Sequence, residues 1–372
     1  MQNDARTPQL IGEDAMYPYR VFISYSRDDA DVAGRVKARL EEIGARPMSD
    51  VDLPEGFEFA DEIRKRISYA HVFVTVLTAR SKDRPWVHQE LGFAMGLGVP
   101  ILPLALDELP KGMAEQIEAV RVNPDLDNLA ERLRPETLER LVRRSQKAGS
   151  ATFERADRLR QRTERIVDYA EVLLEDVGPL EIRQRSAFSS FSIPKHGPRH
   201  NDWDARDGLR PDPPEVRELL RQEREVMERH ARERGCHLIM DPFVPIPQRV
   251  AKSDSVRLKH DPKATAVRLR NLCEFLESMP DDKLQVVFHR GEIEGSTVIV
   301  GDWLLVEAIV PHHTGGYRQS TFTRHAPTVL ARMDAFDREF KDALADANLA
   351  GRSSRSAALE AIRQLLGELP GG

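Results

Sequence analysis

Cysteine is nearly absent. The 372 residues contain two, Cys236 and Cys273, in neither a Cys-x-x-Cys pair nor a cysteine-rich framework, which argues against a disulfide-stapled fold and leaves both thiols as core residues of a protein from a reducing compartment. An excess of either charge is also missing. Lys+Arg number 55 against Asp+Glu 61, a net charge of −6, and this mild imbalance argues against a dedicated nucleic-acid binder. The first nineteen residues, MQNDARTPQLIGEDAMYPY, carry acids and no apolar run, so neither a signal peptide nor a membrane anchor is expected and the chain reads as cytoplasmic. Internal repeats and long low-complexity tracts are lacking as well. Hard-cation loop spacing is absent around Asp50, Asp52 and Glu55, so no metal is expected there.

What remains is a chain long enough for two domains. From 17 to about 124, strand and helix signals alternate in the manner of a parallel α/β sheet. RVFISY at 20–25 reads as a buried strand. A helix follows with Val32, Val36, Leu40 and Ile43 on one face, Asp28 as its N-cap and Gly44 as its stop. After a second short strand comes the acidic loop SDVDLPEGFEF, 49–59, then a helix with Phe59, Ile63 and Ile67 on one stripe. HVFVTVLT is the clearest strand. SKDRPWVHQELGFAMGLG starts a helix near Ser81 or Asp83 with Pro85 in its first turn, VPILPLAL is a fourth strand, and AVRVN at 119–123 a fifth. Five strands with interleaved helices make one doubly wound domain.

The helix WVHQELGFAMG holds an oddity. Trp86, Glu90, Phe93 and Leu97 fall on one stripe, so the segment's only acid shares a face with its aromatics. Glu90 is then either paired structurally, with Arg27, Arg84 or His88, or turned toward a pocket where a carboxylate meets a ligand.

Over residues 17–146 the chain resembles the Toll/interleukin-1 receptor (TIR) domain. The resemblance rests on FISYSRDD after the first strand, the Pro54–Gly56 loop after the second, and RPWVHQE opening the helix after the third, in that order. It implies a flavodoxin-like doubly wound parallel sheet and, as in many bacterial and plant members, cleavage of NAD+ by a glutamate matching Glu90. Other members are adaptors that associate TIR to TIR, so the fold alone does not decide the activity. The chemistry accommodates one acid. Cleaving the nicotinamide–ribose bond releases a neutral pyridine from a cationic pyridinium, so the leaving group needs no proton, unlike that of an ordinary glycosidase. Glu90 would stabilise the oxocarbenium charge or hold the ribose hydroxyls. The substrate-binding set is Phe22, Ser24, Arg27, Asp50, Pro54, Gly56 and Trp86, converging beyond the carboxyl ends of the strands. Each has a plainer alternative: packing for Trp86, a shaped turn for Pro54 and Gly56, solvated charge for Arg27 and Asp50. NAD+ enters as substrate, and no cofactor is expected.

Residues 125–147, interrupted by Pro135, read as a closing helix or helix pair. In 152–177, Ala156, Leu159, Thr163, Ile166, Ala170, Leu173 and Val177 form a coiled-coil-like seam, which serves either its own domain or a protomer contact. The Pro-, Ser- and Gly-rich stretch 186–214 reads as a linker, so 147–211 is expected to be a helical segment and linker. Residues 212–372 read as an α+β domain with a small, partly antiparallel sheet. Its late polar residues, among them His289, Arg290, His312, His313 and His325, show no metal-ligand spacing. The layout is faintly similar to phospholipase-D-like domains but lacks their H-x-K…D element. The combined expectation is a TIR effector: an NAD+ glycohydrolase or cyclase that assembles as a homo-oligomer through TIR–TIR contacts, with an unidentified ligand or partner for the second domain and a role in antiviral defence. A non-catalytic scaffold and a nucleoside glycosyl or deoxyribosyl transferase are the alternatives.

Overall fold

The computed structural model describes residues 19–49, 59–81, 84–106, 119–148, 153–195, 214–240, 262–288, 295–309, 319–347, 349 and 351–369. They form two compact units. The first is Met1–Thr152 with Arg324–Ala331; the second is Phe153–Thr323 with Arg332–Gly372.

The first unit is the expected parallel sheet. Strands β1 (Arg20–Ser24), β2 (Arg46–Ser49), β3 (Val72–Leu77), β4 (Ile101–Ala105) and β5 (Val120–Arg121) stand in the order β2-β1-β3-β4-β5, and every pairing is parallel. Helices α1 (Ala30–Glu42), α2 (Phe59–Ser68), α3 (Pro85–Gly96), α4 (Leu129–Arg132) and α5 (Pro135–Ala148) connect and close it. Alternation along the strands divides the core in two. Val21, Ile23, Val72, Val74 and Val76 meet Val36 and Leu40 of α1 and Leu138 and Val142 of α5 on one face. Phe22 and Phe73 meet Ile63 and Ile67 of α2 and Leu91 and Ala94 of α3 on the other. Gly44, at φ 78°, ends α1 as its left-handed stop. Asp28 does not cap that helix. A 3-10 turn at Arg27–Asp29 precedes it, and the Asp28 carboxylate goes to Arg84 instead. Nor does Ser81 cap α3: its hydroxyl accepts from the backbone N–H of Thr78. Asp83 lies outside the described residues.

The second unit starts earlier than 212. Its seven-stranded sheet, in the order β6-β12-β11-β10-β7-β8-β9, takes β6 (Glu154–Ala156) and β7 (Ile182–Ser186) from the segment read as helix and linker, with α6 (Leu159–Asp176) between them. It continues through α7 (Pro214–Arg234), β8 (Cys236–Met240), α8 (Pro262–Ser278), β9 (Leu284–Phe288), the hairpin β10 (Gly295–Val300) and β11 (Leu304–Ile309), β12 (Gln319–Thr323), α9 (Ala326–Asp346) and α10 (Ser354–Glu368). The hairpin turns at Gly301, φ 52°, as the Gly301–Asp302 pair leads one to expect. Strands β7, β8 and β9 run parallel, whereas β10, β11, β12 and β6 pair antiparallel. The 156–177 seam serves its own unit: Thr163, Ile166, Ala170 and Leu173 are buried, and His230 of α7 contacts the Ala170 carbonyl at 3.0 Å. The stretch after β7 misled for a physical reason. Two of its buried serines bond locally, Ser186 to the Phe188 carbonyl at 2.9 Å and Ser192 to the Ser189 carbonyl at 2.6 Å, so a composition typical of linkers is folded here. Residues 196–213 lie outside the described set. Cys236 is buried and Cys273 partly so, both free; burial pushes the Cys273 thiol up to about 11 and that of Cys236 higher still.

At the amino edge of the first sheet, the Arg20 N–H donates to Nδ1 of His71 at 3.0 Å and its Nε to the Tyr69 carbonyl at 2.8 Å. Burial, then the charge of Arg20 and then His325, holds the His71 pKa well below its ordinary value. Burial depresses His230, His237 and His325 in the same direction. A histidine whose folded pKa is lowered binds its proton more readily in the unfolded chain. The stability it lends is therefore complete above the unfolded pKa of about 6.5 and declines below it, by at most about 1.4 kcal/mol per pH unit per group. Urea unfolding at pH 7.5 and 5.5 should show a drop of about 1 kcal/mol or more at the lower pH. A flat or rising profile contradicts the neutral assignment. A second expectation concerns Gly235, which has φ +96° and where a Cβ would stand 2.9 Å from the Lys283 carbonyl oxygen, a main-chain atom. Gly235→Ala should cost about 2 kcal/mol in the same assay; a neutral result would deny the strain.

Candidate functional site

The carboxyl edge of the parallel sheet is where the loops after β1 and β3 meet the start of α3. A buried acid pins them. Asp29, 1% exposed, accepts from the Thr78 hydroxyl at 2.7 Å and lies 3.6 Å from Arg80. Arg80 also donates to the Asp28 carbonyl at 2.6 Å, and Arg84, the residue before α3, pairs with the Asp28 carboxylate at 2.5 Å. The first loop is thus tied both to the loop after β3 and to the entry of the helix that carries Glu90.

Glu90 is buried at 4% exposure. On its stripe Trp86 and Phe93 are half-buried against the Phe22–Phe73 core, and the neighbouring stripe, Val87, Leu91 and Ala94, is buried outright. Phe22 is fully buried and stacks on Phe73 with ring centroids 5.7 Å apart and planes 8° from parallel. By alternation Ser24 and Thr75 lie on that same face, directly opposite each other in the β1–β3 register. Both are buried, and among the described residues neither hydroxyl has a hydrogen-bond partner. Such groups are uncommon in folded proteins and call for a reason. Thr75 is the residue that reading the sequence missed. The signal was available: a hydroxyl at the end of an otherwise apolar strand, in phase with Phe73 as Ser24 is with Phe22.

Of the expected set, the structure places Phe22, Ser24, Trp86 and Glu90 on one layer of the sheet. Arg27 is exposed in the 3-10 turn beyond β1. Asp50, Pro54 and Gly56 lie outside the described residues. Among the alternatives for Glu90, Arg84 is engaged with Asp28. Of the late polar residues, Glu307 pairs with Arg332 at 2.9 Å, and His325 contacts the Gly98 carbonyl at 3.1 Å within the first unit. His289, Arg290, His312 and His313 are outside the described residues, among which no cluster of three or more metal-ligating side chains occurs. No described helix is long and apolar enough to cross a membrane.

Residues 21–141 match the TIR domain family. The first unit therefore carries a TIR domain. No curated protein matches the sequence. Solved structures similar to parts of the chain include a CMP N-glycosidase, BcmB, of Clostridium botulinum, at 17% identity and a TM-score of 0.24, covering 30% of this chain and 96% of that one. Another is TrmBL2, an archaeal chromatin protein, at 9% identity and a TM-score of 0.28, covering 56% of this chain and 60% of that one.

The pinning contacts give a paired expectation. Asp29→Ala removes a buried acceptor and strands the Thr78 hydroxyl, so unfolding free energy should fall by about 1–3 kcal/mol. Asp28→Ala breaks a pair exposed on both sides and should cost at most about 0.5 kcal/mol. Chemical denaturation of both variants checks the ordering; equal losses would mean that Asp29 does not anchor the edge.

Proposed function

We propose that the first unit cleaves the nicotinamide–ribose bond of NAD+, by hydrolysis or cyclisation, with Glu90 as the catalytic carboxylate. The observation that carries this reading is a carboxylate buried among aromatics on the helix that follows β3 of a TIR domain. Acids are seldom this deeply buried, and such placements concentrate at functional sites. In the reaction Glu90 faces the anomeric carbon, where positive charge grows as the C–N bond breaks and nicotinamide leaves as a neutral base. Fixed negative charge in a water-poor site is worth more there than in solvent. Water or an adenine nitrogen of the same substrate then takes the anomeric carbon.

The supporting residues follow from their places. Phe22 stacks beneath the layer, Ser24 and Thr75 offer two hydroxyls for ribose, and Trp86 borders the nucleotide one turn before Glu90. Arg27, exposed beyond β1, meets a phosphate. TIR domains commonly self-associate, and assembly of such a site between copies would make turnover rise more steeply than protein concentration. The second unit then serves as the element that senses a ligand or partner, in a response such as antiviral defence.

The test is chromatography of NAD+ products from purified protein over a range of concentrations. Glu90→Gln should lower nicotinamide release by about two to three orders of magnitude with the fold intact. Thr75→Val, which removes an unpartnered hydroxyl at nearly constant volume, should leave stability unchanged or raised while lowering turnover about tenfold. Near wild-type turnover in folded Glu90→Gln rejects the catalytic assignment. Silence of the wild type at every concentration favours a scaffold, and base release from nucleosides but not from NAD+ favours a transferase.

A further inference from the structure

Strand β7 is a switch point in the second unit. The chain leaves it on one side through α7 to β8 and α8 to β9, then returns across it to β10, which pairs antiparallel on its other side. In sheets of this kind, the crevice beyond the carboxyl end of such a strand is where ligands bind. The turn at 188–193 lies there, directly after Ser186.

Charge is buried against this turn. Arg224 of α7, 1% exposed, donates from Nε to Glu228 at 2.7 Å and from Nη1 to Asn271 at 3.2 Å and to the Ile193 carbonyl. Among the described residues its Nη2 is buried with no partner, and so is the hydroxyl of Ser189. Arg268 of α8 lies over the Phe188 ring, 4.5 Å from its centroid, and donates from Nε to Ser192 at 3.2 Å. Lys195 reaches Glu228 at 2.7 Å, Arg232 reaches it at 3.3 Å, and Arg162 reaches Glu223 at 3.1 Å. Among the described residues this network sets five cations against two carboxylates, Glu223 and Glu228. Both acids are already shared, Glu223 also accepting from Ser190 at 2.7 Å. A guanidinium nitrogen and a hydroxyl left unpartnered at one turn suit a tetrahedral oxyanion better than a planar carboxylate, since such donors approach from different directions.

We infer that the 188–193 turn is the binding site for the phosphate group of a small phosphorylated ligand, seated on Arg224 Nη2 and the Ser189 hydroxyl with Arg268 alongside. Arg224 and Ser189 are buried, and Lys195, about a third exposed, marks the side open to solvent. Binding therefore exchanges part of the turn's internal hydrogen bonding for the ligand. This site does not depend on Glu90 or on the activity of the first unit.

The experiment is calorimetric titration of the full chain, in low-salt chloride buffer, with inorganic phosphate, pyrophosphate and ADP in turn. At least one probe should bind once per chain and bind equally well to Glu90→Gln. Ser189→Ala should weaken it several-fold and Arg268→Gln about tenfold or more. Arg224→Gln risks the fold, so the two milder variants, checked by unchanged thermal melts, carry the test. The inference is overturned if none of the three probes binds, if either folded variant binds as the wild type does, or if Glu90→Gln abolishes binding, which would place the ligand in the first unit.

Discussion

The candidate site depends on one packing contact, that of Leu91 and Ala94 of α3 against the Phe22–Phe73 stack. Helix α3 has no side-chain cap at its start, so its position rests on the apolar layer beneath it and on the Arg84–Asp28 pair at its entry. A helix set by burial is set in rotation as well as in place, because turning it by one residue would exchange Leu91 for a polar neighbour. The same contact that fixes the fold thus keeps Glu90 buried rather than solvated. Parallel pairing of β1 and β3 adds the second constraint, since register puts Ser24 opposite Thr75 as surely as it puts Phe22 opposite Phe73.

The two units treat buried polarity differently. In the second, buried charge is networked: Arg183 forms a bidentate pair with Asp337 at 2.6 and 3.1 Å, and Glu223 and Glu228 each serve several donors. Networks of this kind specify a core when complete and mark a functional gap when a donor is left over. In the first unit the buried polar groups at the carboxyl edge divide into a satisfied pair, Asp29 with Thr78, and the unsatisfied hydroxyls of Ser24 and Thr75. The satisfied pair holds the loops. The unsatisfied hydroxyls face the layer that carries Glu90.

Much of this was legible in the sequence because the signals were periodic. The five strands of the first sheet, α1 to α3, and the Gly301–Asp302 hairpin follow from alternation, stripes and turn residues, and burial was well marked by β-branched runs such as VFVTVL. The misses share a cause. Asp28 looks like a helix cap, yet a longer-range partner, Arg84, outcompetes the local backbone. The stretch after β7 has the composition of a linker, yet Ser186, Ser190 and Ser192 are spent on carbonyls and a glutamate. Strands β6 and β7 carry Arg, Gln and Glu because ion pairs with helices cover them, so period-two patterning is masked. Thr75 hid in an apolar strand, where a lone hydroxyl reads as a β-former.

The arrangement of acids at the carboxyl edge bears on which N-glycosidic bond such a site would cut. A neutral nucleoside loses its base as an anion unless an acid protonates it, so enzymes acting on that bond need a proton donor in addition to a group that stabilises the oxocarbenium ion. Among the described residues at this edge, Asp29 accepts from Thr78 and lies beside Arg80, and Asp28 pairs with Arg84. On the proposed reading, in which Glu90 is the acting carboxylate, one acid suffices because the leaving group departs already neutral, as a pyridine does from a pyridinium.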